Sequence, residues 1–281
     1  MPVTKHAPAK INLNLHITGR RPDGYHTLDS FMVFTEWGDT VTVTESNEPS
    51  MSVTGTRADI IHGDLLSMDR TSPNLIIRAL HAMGDACGKA PNIHIDLVKE
   101  IPSGAGLGGG SSDAAATMLA LNELWGYPLT MTQLCDIGLT LGAELPVCLA
   151  QKPSRVQGIG DIVKPLRDVP TYPIVIVWPD KELLTKDVFQ AFKARNGHFD
   201  PPLNGRSIED LQVTINGLQQ TAITLQPDIE SILNQLGNAD GCTLARMTGS
   251  GAACFGLFET SEQAESASIL FKNAVATTTL Y

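Results

Sequence analysis

The sequence is short of positive charge, of paired cysteines and of long apolar runs, and each shortage removes a class of function. Lys and Arg number 20 against 30 Asp and Glu in 281 residues, for a formal net charge of −10. A protein that neutralises a nucleic-acid backbone carries a basic patch. No cluster of Lys and Arg occurs here, so nucleic acid is not an expected partner. A single nucleotide is a different matter, because a few local donors hold it. Cys87, Cys135, Cys148, Cys242 and Cys254 are odd in number and form no C-x-x-C pair, which argues against a disulfide framework and against a metal site. They are expected as free thiols, mostly buried. No apolar run approaches a membrane span, and the residues before Lys10 hold no apolar leader core. No membrane partner is expected, and the compartment is read as cytoplasmic.

At this length two domains are expected. Gly and Pro punctuate a polar stretch over 151–170, and the division placed there gives 1–160 and 161–281. From Ala9 to Ile17 the chain alternates strictly, with Ile11, Leu13, Leu15 and Ile17 on one face and Lys10, Asn12, Asn14 and His16 on the other. A period of two predicts a half-buried strand. Asp23-Gly24 predicts a tight turn, and further strands are expected over 28–34, 40–44 and 51–54. A helix is expected from Ser72 with Pro73 in its first turn. A strand through Ile93, Ile95 and Leu97 then leads to a Gly-rich loop and a helix from Ser111. Thr130 and Gln133 form a capping box for the next helix, which Gly142 ends; Pro146 beyond it predicts extended chain. In the second half a buried strand at 174–178, helices through Val188 and Phe192 and over 227–236, a hairpin of 243–247 with 253–258, and a helix from Ser261 predict an open-faced α/β sandwich.

The loop carries the chemistry. Pro102, Ser103, Gly104, Ala105, Gly106, Leu107, Gly108, Gly109, Gly110, Ser111 and Ser112 join a strand to a helix, and five of these eleven are glycine. Glycine admits positive φ and lets backbone approach a ligand without a Cβ between. The helix that follows leaves its first N–H groups unpaired, and with the helix dipole they favour a polyanion such as triphosphate. Ser111 and Ser112 either cap the helix or contact the ligand; pattern alone leaves a phosphate cradle and a structural Gly-rich turn both open. The run Gly104-x-Gly106-x-x-Gly109 formally matches a dinucleotide fingerprint, but the acidic residue at the right distance, Glu123, falls inside the helix rather than after a second strand. The loop contains no Lys, which excludes a P-loop, and the chain has neither His-Arg-Asp nor Asp-Phe-Gly, which excludes a protein kinase.

These residues resemble the GHMP small-molecule kinases, whose phosphate loop has the form Pro-x-x-x-Gly-Leu-Gly-Ser-Ser. Five islands, in family order from about residue 8 to 258, resemble the branch acting on a cytidine-diphosphate-linked methylerythritol. They are Pro8-Ala-Lys-Ile-Asn-Leu13, Arg21-Pro-Asp-Gly-Tyr-His26, Gly106-Leu-Gly-Gly-Gly-Ser-Ser112, Gly142-Ala-Glu-Leu-Pro146 with Gly158-Ile-Gly160, and Met247-Thr-Gly-Ser-Gly-Ala252. The resemblance implies an α+β, two-domain fold: an N-terminal domain like ribosomal protein S5 domain 2, a ferredoxin-like C-terminal domain, and the active site between them. It implies transfer of the γ-phosphoryl of ATP, with Mg²⁺, to the 2-hydroxyl of the methylerythritol moiety. Carried over by motif, Lys10 and Glu144 are the catalytic pair and Asn12 lies beside them. Tyr25 stacks on cytosine with Phe189 as the opposite wall, His26 reads the base edge, and Thr185 and the backbone at Ile159 face the substrate. The small-molecule cytidine diphosphate is the expected partner, and the oligomeric state is left open. The family motif reads Gly-Ala-Asp-Val-Pro where this chain has Glu144 and Leu145, so the carboxylate is displaced by a methylene; the C-terminal stretch 273–281 departs from the pattern as well. Another GHMP kinase, or a nucleotide-binding homologue of weak activity, are the rival readings.

Overall fold

The computed structural model describes residues 1–194 and 198–281. In chain order the strands are β1 (Val3–Asn12), β2 (His16–Arg20), β3 (His26–Glu45), β4 (Ser50–Thr54), β5 (Ile93–Val98), β6 (Ser154–Gly158), β7 (Ile162–Pro165), β8 (Pro173–Val177), β9 (Cys242–Met247), β10 (Cys254–Phe258) and β11 (Ala274–Thr278). The α-helices are α1 (Leu75–Cys87), α2 (Gly109–Leu124), α3 (Met131–Leu141), α4 (Leu145–Ala150), α5 (Thr185–Ala194), α6 (Gln219–Leu225), α7 (Asp228–Gly237) and α8 (Ser261–Ser268). The expected α+β class holds. The chain forms two compact units that interleave in sequence: Met1–Ala9, Gly38–Ser103 and Gly108–Gln151 make one, and Lys10–Trp37, Gly104–Leu107 and Lys152–Tyr281 the other.

In the first unit the later half of β3 pairs antiparallel with β5, Val41 against Leu97 and Val43 against Ile95, and β4 adds to β5 in parallel. Asn74 caps α1, its side chain accepting from the Ile76 N–H at 3.0 Å, so the helix starts after Ser72 and Pro73 rather than at them. The helix α2 is buried from Ser112 through Thr117. A helix apolar nearly all round belongs in a core, and α1 and α4 pack against it. The capping box at Thr130 and Gln133 starts α3 as expected. The expected extended chain at Pro146 is corrected: Pro146 lies in the first turn of α4. A helix needs no N–H there, and the fixed φ of proline suits it.

The second unit contains a four-stranded antiparallel sheet in the order β11-β8-β10-β9. By chain order that is fourth, first, third, second, with α5–α7 after the first strand and α8 after the third, which is the expected ferredoxin-like layout. The hairpin β9–β10 pairs Met247 with Cys254. Val175, Val177, Phe258, Val188, Phe192, Ile229 and Leu236 share its core.

Two strand expectations are corrected. The alternating run 9–17 is two strands, because the backbone of Leu15 leaves β3 and pairs with Ile215 and Gly217 instead. Asn14 Oδ1 accepts the Phe31 N–H in its place at 2.7 Å. The polar face of this run is not half-solvated: Lys10, Asn12, Asn14 and His16 are all buried. The strands expected over 28–34 and 40–44 are one, β3, which continues through Gly38. A Cβ at that position would lie 2.4 Å from the Ala7 carbonyl oxygen, so only glycine lets the neighbouring backbone come so close.

Candidate active site

The Gly-rich loop alternates in handedness. Gly104, Gly106 and Gly108 have φ of 61°, 77° and 68°, left-handed values that a side chain strains to adopt. Its ends, up to Ser103 and from Gly108, belong to the first unit, and its tip, Gly104–Leu107, to the second. The helix begins at Gly109, two residues before the expected Ser111, with Gly108 at the N-cap and no side chain capping it. Ser112 does not cap: its hydroxyl donates to the Pro8 carbonyl at 2.8 Å. The first N–H groups of α2 are therefore left to a ligand or to solvent.

The tip rests on Thr248–Ala253, a support that sequence reading took only as a hairpin turn. The Ala253 N–H donates to the Ala105 carbonyl at 3.0 Å, and a Cβ on Gly106 would lie 2.7 Å from the Thr248 carbonyl oxygen. Gly249 and Gly251 take φ of 57° and 88° to follow it. Two glycine-rich turns thus lie backbone to backbone, a distance that side chains would forbid. The spacing Thr248-Gly-Ser-Gly was the signal for it.

Lys10 ends in the same place. Its side chain is buried, and Nζ donates to Asn12 Oδ1 at 2.7 Å and to the Gly106 carbonyl at 3.1 Å. The Lys10 N–H donates to the Leu107 carbonyl at 2.9 Å, so strand and loop tip are tied twice. Asn12 is fixed from both ends: its backbone N–H donates to Thr248 Oγ1 and its Nδ2 to Ser30 Oγ, each at 2.8 Å. Ser30 in turn donates to the Asn14 carbonyl at 2.6 Å. The strand, the loop tip and the turn at 248–252 therefore bring Lys10, Asn12, Gly106 and Thr248 together.

In the first unit, Glu144 occupies the N-cap of α4 with φ −86° and ψ −10°, and its side chain makes no cap to that helix.

Tyr25 and His26 follow a turn closed by the Arg21 N–H on the Tyr25 carbonyl at 2.8 Å. Tyr25 is 64% exposed, which leaves its ring face open to a planar ligand. His26 is not: its ring stacks on Phe189 with centroids 5.0 Å apart at 27°, and meets Phe192 edge-on at 5.8 Å. Burial first, then the charges of Arg20 and Lys193, hold its pKa below the usual histidine value. A neutral imidazole offers one donor and one acceptor, which suits the edge of a base. Thr185 starts α5, and its hydroxyl shares a hydrogen bond with Ser250 at 2.8 Å. The Ile159 N–H is engaged locally, donating to Asp161 Oδ1 at 2.9 Å.

Sequence reading missed a buried charge cluster in the first unit. Lys99 Nζ donates to Asp39 and, at 2.8 Å, to Asp113 Oδ2, all three side chains sealed from solvent. The available signal was Asp113 itself, a charge standing before Ala114-Ala115-Ala116 on an otherwise small and apolar helix.

The family model for the GHMP kinases N terminal domain matches residues 74–161, and the one for the GHMP kinases C terminal matches 189–268. A 4-diphosphocytidyl-2-C-methyl-D-erythritol kinase of Mesorhizobium japonicum is 42% identical over 272 residues, covering 94% of this chain and 89% of that protein. The enzyme of the same name from Rhodospirillum rubrum is 37% identical over 268 residues, covering 94% and 86%. A crystal structure of 4-(cytidine 5'-diphospho)-2C-methyl-D-erythritol kinase superimposes with a TM-score of 0.81 at 32% identity, covering 98% of both chains. A homoserine kinase from Cytophaga hutchinsonii shares the fold, with a TM-score of 0.72 at 17% identity.

Proposed function

The chain belongs to the 4-diphosphocytidyl-2-C-methyl-D-erythritol kinase family of the GHMP kinases, and from that membership we propose that it transfers the γ-phosphoryl of ATP to the 2-hydroxyl of 4-(cytidine 5'-diphospho)-2-C-methyl-D-erythritol, in isoprenoid precursor biosynthesis. ATP use follows from the family. The observation that carries the reading is the ammonium of Lys10 bound to the carbonyl of Gly106, at the tip of the Gly-rich loop. It puts a buried positive charge beside backbone shaped for phosphate.

Phosphoryl transfer asks the protein for position and charge more than for covalent chemistry. The loop 102–112 offers left-handed glycines and the open N–H groups of α2 to the triphosphate. Lys10 stabilises the charge spread over the transferring group, and Asn12 fixes where that ammonium sits. Glu144 accepts the proton of the attacking hydroxyl. Tyr25 stacks on the cytosine with Phe189, which also stacks on His26, as the opposite wall; neutral His26 reads the base edge, and Thr185 and Ile159 complete the substrate side. Asp161 yields the Ile159 N–H when a base takes it. Mg²⁺ fits as a passenger of the triphosphate: no group of three or more His, Cys, Asp and Glu among the described residues is placed to hold a metal by itself. Bound there, it neutralises phosphate charge. The spans 1–160 and 161–281 serve as the two domains of this reading.

The test is ADP release with the cytidine diphosphate substrate, run beside homoserine and mevalonate, on the parent, Glu144→Gln and Glu144→Asp. The parent is expected to act on the cytidine substrate alone. Glu144→Gln should lose most of kcat, at least about 10²-fold, with both KM values nearly unchanged, the mark of a contact made in the transition state. Glu144→Asp should match or exceed the parent. Equal rates for Gln and Glu would remove Glu144 from the mechanism. Binding of both ligands with no ADP from any form would favour the nucleotide-binding reading.

A further inference from the structure

The loop assigned to the nucleotide is held at its two ends by the charge cluster that the reaction does not use. Lys99 lies three residues before Pro102, and Asp113 directly after Ser112. Lys99 Nζ bridges Asp39 and Asp113, and Asp39 Oδ1 accepts the N–H of Glu100 and, at 2.8 Å, that of Ile101. The chain running into the loop and the helix running out of it are thus closed on one another through three side chains. The loop passes directly over them: a Cβ on Gly109 would lie 3.1 Å from Lys99 Nζ.

One ammonium serves two carboxyl groups here. With both ionised the sealed cluster would carry a net negative charge, which is costly without a further partner, so one proton is retained. The hydrogen bonds decide where it resides. Asp39 takes donors on both oxygens, Lys99 on one and two backbone N–H groups on the other. Asp113 takes Lys99 on Oδ2, and its Oδ1, fully buried, has no partner among the described residues. An oxygen that takes no donor costs less on a neutral acid, whose proton faces the Asp39 carboxylate, than on a second carboxylate. The other helices packed on α2 bring no charge toward Asp113: the buried side chains of α1 include Ile76, Leu80 and Met83, and those of α4 Leu145, Val147 and Leu149.

We propose that Asp113 is a positioning residue for the nucleotide loop: as the neutral acid it closes the loop's end onto Lys99 and Asp39, and as the carboxylate it loosens that closure. The proposal rests on the assignment of the loop to ATP. Burial, against the pull of Lys99 and with the push of Asp39, raises the Asp113 pKa to about 8. The sign follows. An acid whose folded pKa is raised holds more protons native than unfolded, so its favourable contribution is present in acid and is lost as pH rises toward about 8. A triphosphate on the loop adds negative charge and raises the group further. Binding therefore takes up a proton above that pH, and affinity falls there by at most about tenfold per unit.

The experiment is calorimetry of Mg·ATP binding at pH 7.0 and 9.0, in buffers of differing ionisation enthalpy, on the parent, Asp113→Asn and Asp113→Ala. The parent is expected to bind roughly 3- to 10-fold more weakly at the higher pH and to take up a fraction of a proton there. Asp113→Asn, a permanent mimic of the neutral acid, should match the parent at pH 7.0 and show neither effect. Asp113→Ala should bind weakly at both. A residue needed only for folding gives no such difference in proton uptake. The proposal is overturned if the parent takes up no proton, or if Asp113→Asn keeps the same uptake. The parent measurement needs no variant and can overturn the proposal even if the Asn protein does not fold. A parent that binds no ATP at either pH would instead sink the nucleotide assignment.

Discussion

Lys99 and Arg246 are both cations sealed inside the protein, one in each unit, and they are kept there by opposite means. Lys99 has two carboxyl groups, one more than its charge requires. Arg246 donates to neutral oxygens: the Leu13 carbonyl at 2.6 Å, the Thr214 carbonyl at 2.7 Å, the Leu211 carbonyl at 3.0 Å and Thr214 Oγ1 at 3.2 Å. Burial pulls its pKa down to about 10, so it stays charged through the neutral range. The surplus around Lys99 makes a cluster that stores a proton and responds to pH. The neutral cage around Arg246 makes a fixed clamp, and what it clamps is Leu13, the residue after Asn12 on the strand of Lys10. The conditional cation thus lies beneath the loop ends, and the constant one beside the reacting strand.

Removing each cation should break that contrast. Lys99→Met leaves two carboxyl groups facing each other without a bridge, and breaking a buried pair costs roughly 3–5 kcal/mol. Urea unfolding at pH 7 should show a loss of that size. A loss below about 1 kcal/mol would mean that the bridge is not what holds the cluster. Arg246→Met has the smaller expected effect, about 2 kcal/mol. It orphans three backbone carbonyls, but it also removes the cost of burying a charge. The same urea measurement should show it, and kcat should fall as Leu13 slackens. Arg246→Lys sharpens the comparison at the low end: the charge stays, the planar fork goes, and about 1 kcal/mol should be lost. If Lys and Met are equally damaging, the fork geometry and not the charge holds Leu13.

What was legible in the sequence was what is local. The glycine run, the Thr130 capping box and the β9–β10 hairpin each announce themselves within a few consecutive residues, while the ferredoxin-like half came from the family resemblance. The strand of Lys10 and Asn12 was also found, but its polar face was given to solvent. Alternation reports which residues share a face and says nothing of what covers the other one. The strands expected over 28–34 and 40–44 were not joined, because the approach of Ala7 that demands Gly38 between them comes from 31 positions away. Pro146 read as extended for the same reason: whether a proline breaks a helix or begins one depends on where the helix starts. Asp113 stood out on its apolar helix, but its partners Asp39 and Lys99 did not, since three single charges spread over 75 positions form no motif.

The loop changes unit twice in eleven residues, its ends counted with one and its tip with the other. A nucleotide cradle drawn this way is not a module. A fragment stopping at Gln151 would keep the charged clasp on the loop ends and lose Thr248–Ala253, on which the tip lies. A fragment starting after it would keep that support with nothing to rest on it. Recombination that swapped one half for a distant relative's would have to preserve the fit of two glycine turns touching backbone to backbone. The halves are therefore expected to be inherited as a pair, with substrate preference changing through side chains such as Tyr25 and Phe189 rather than through exchange of whole parts.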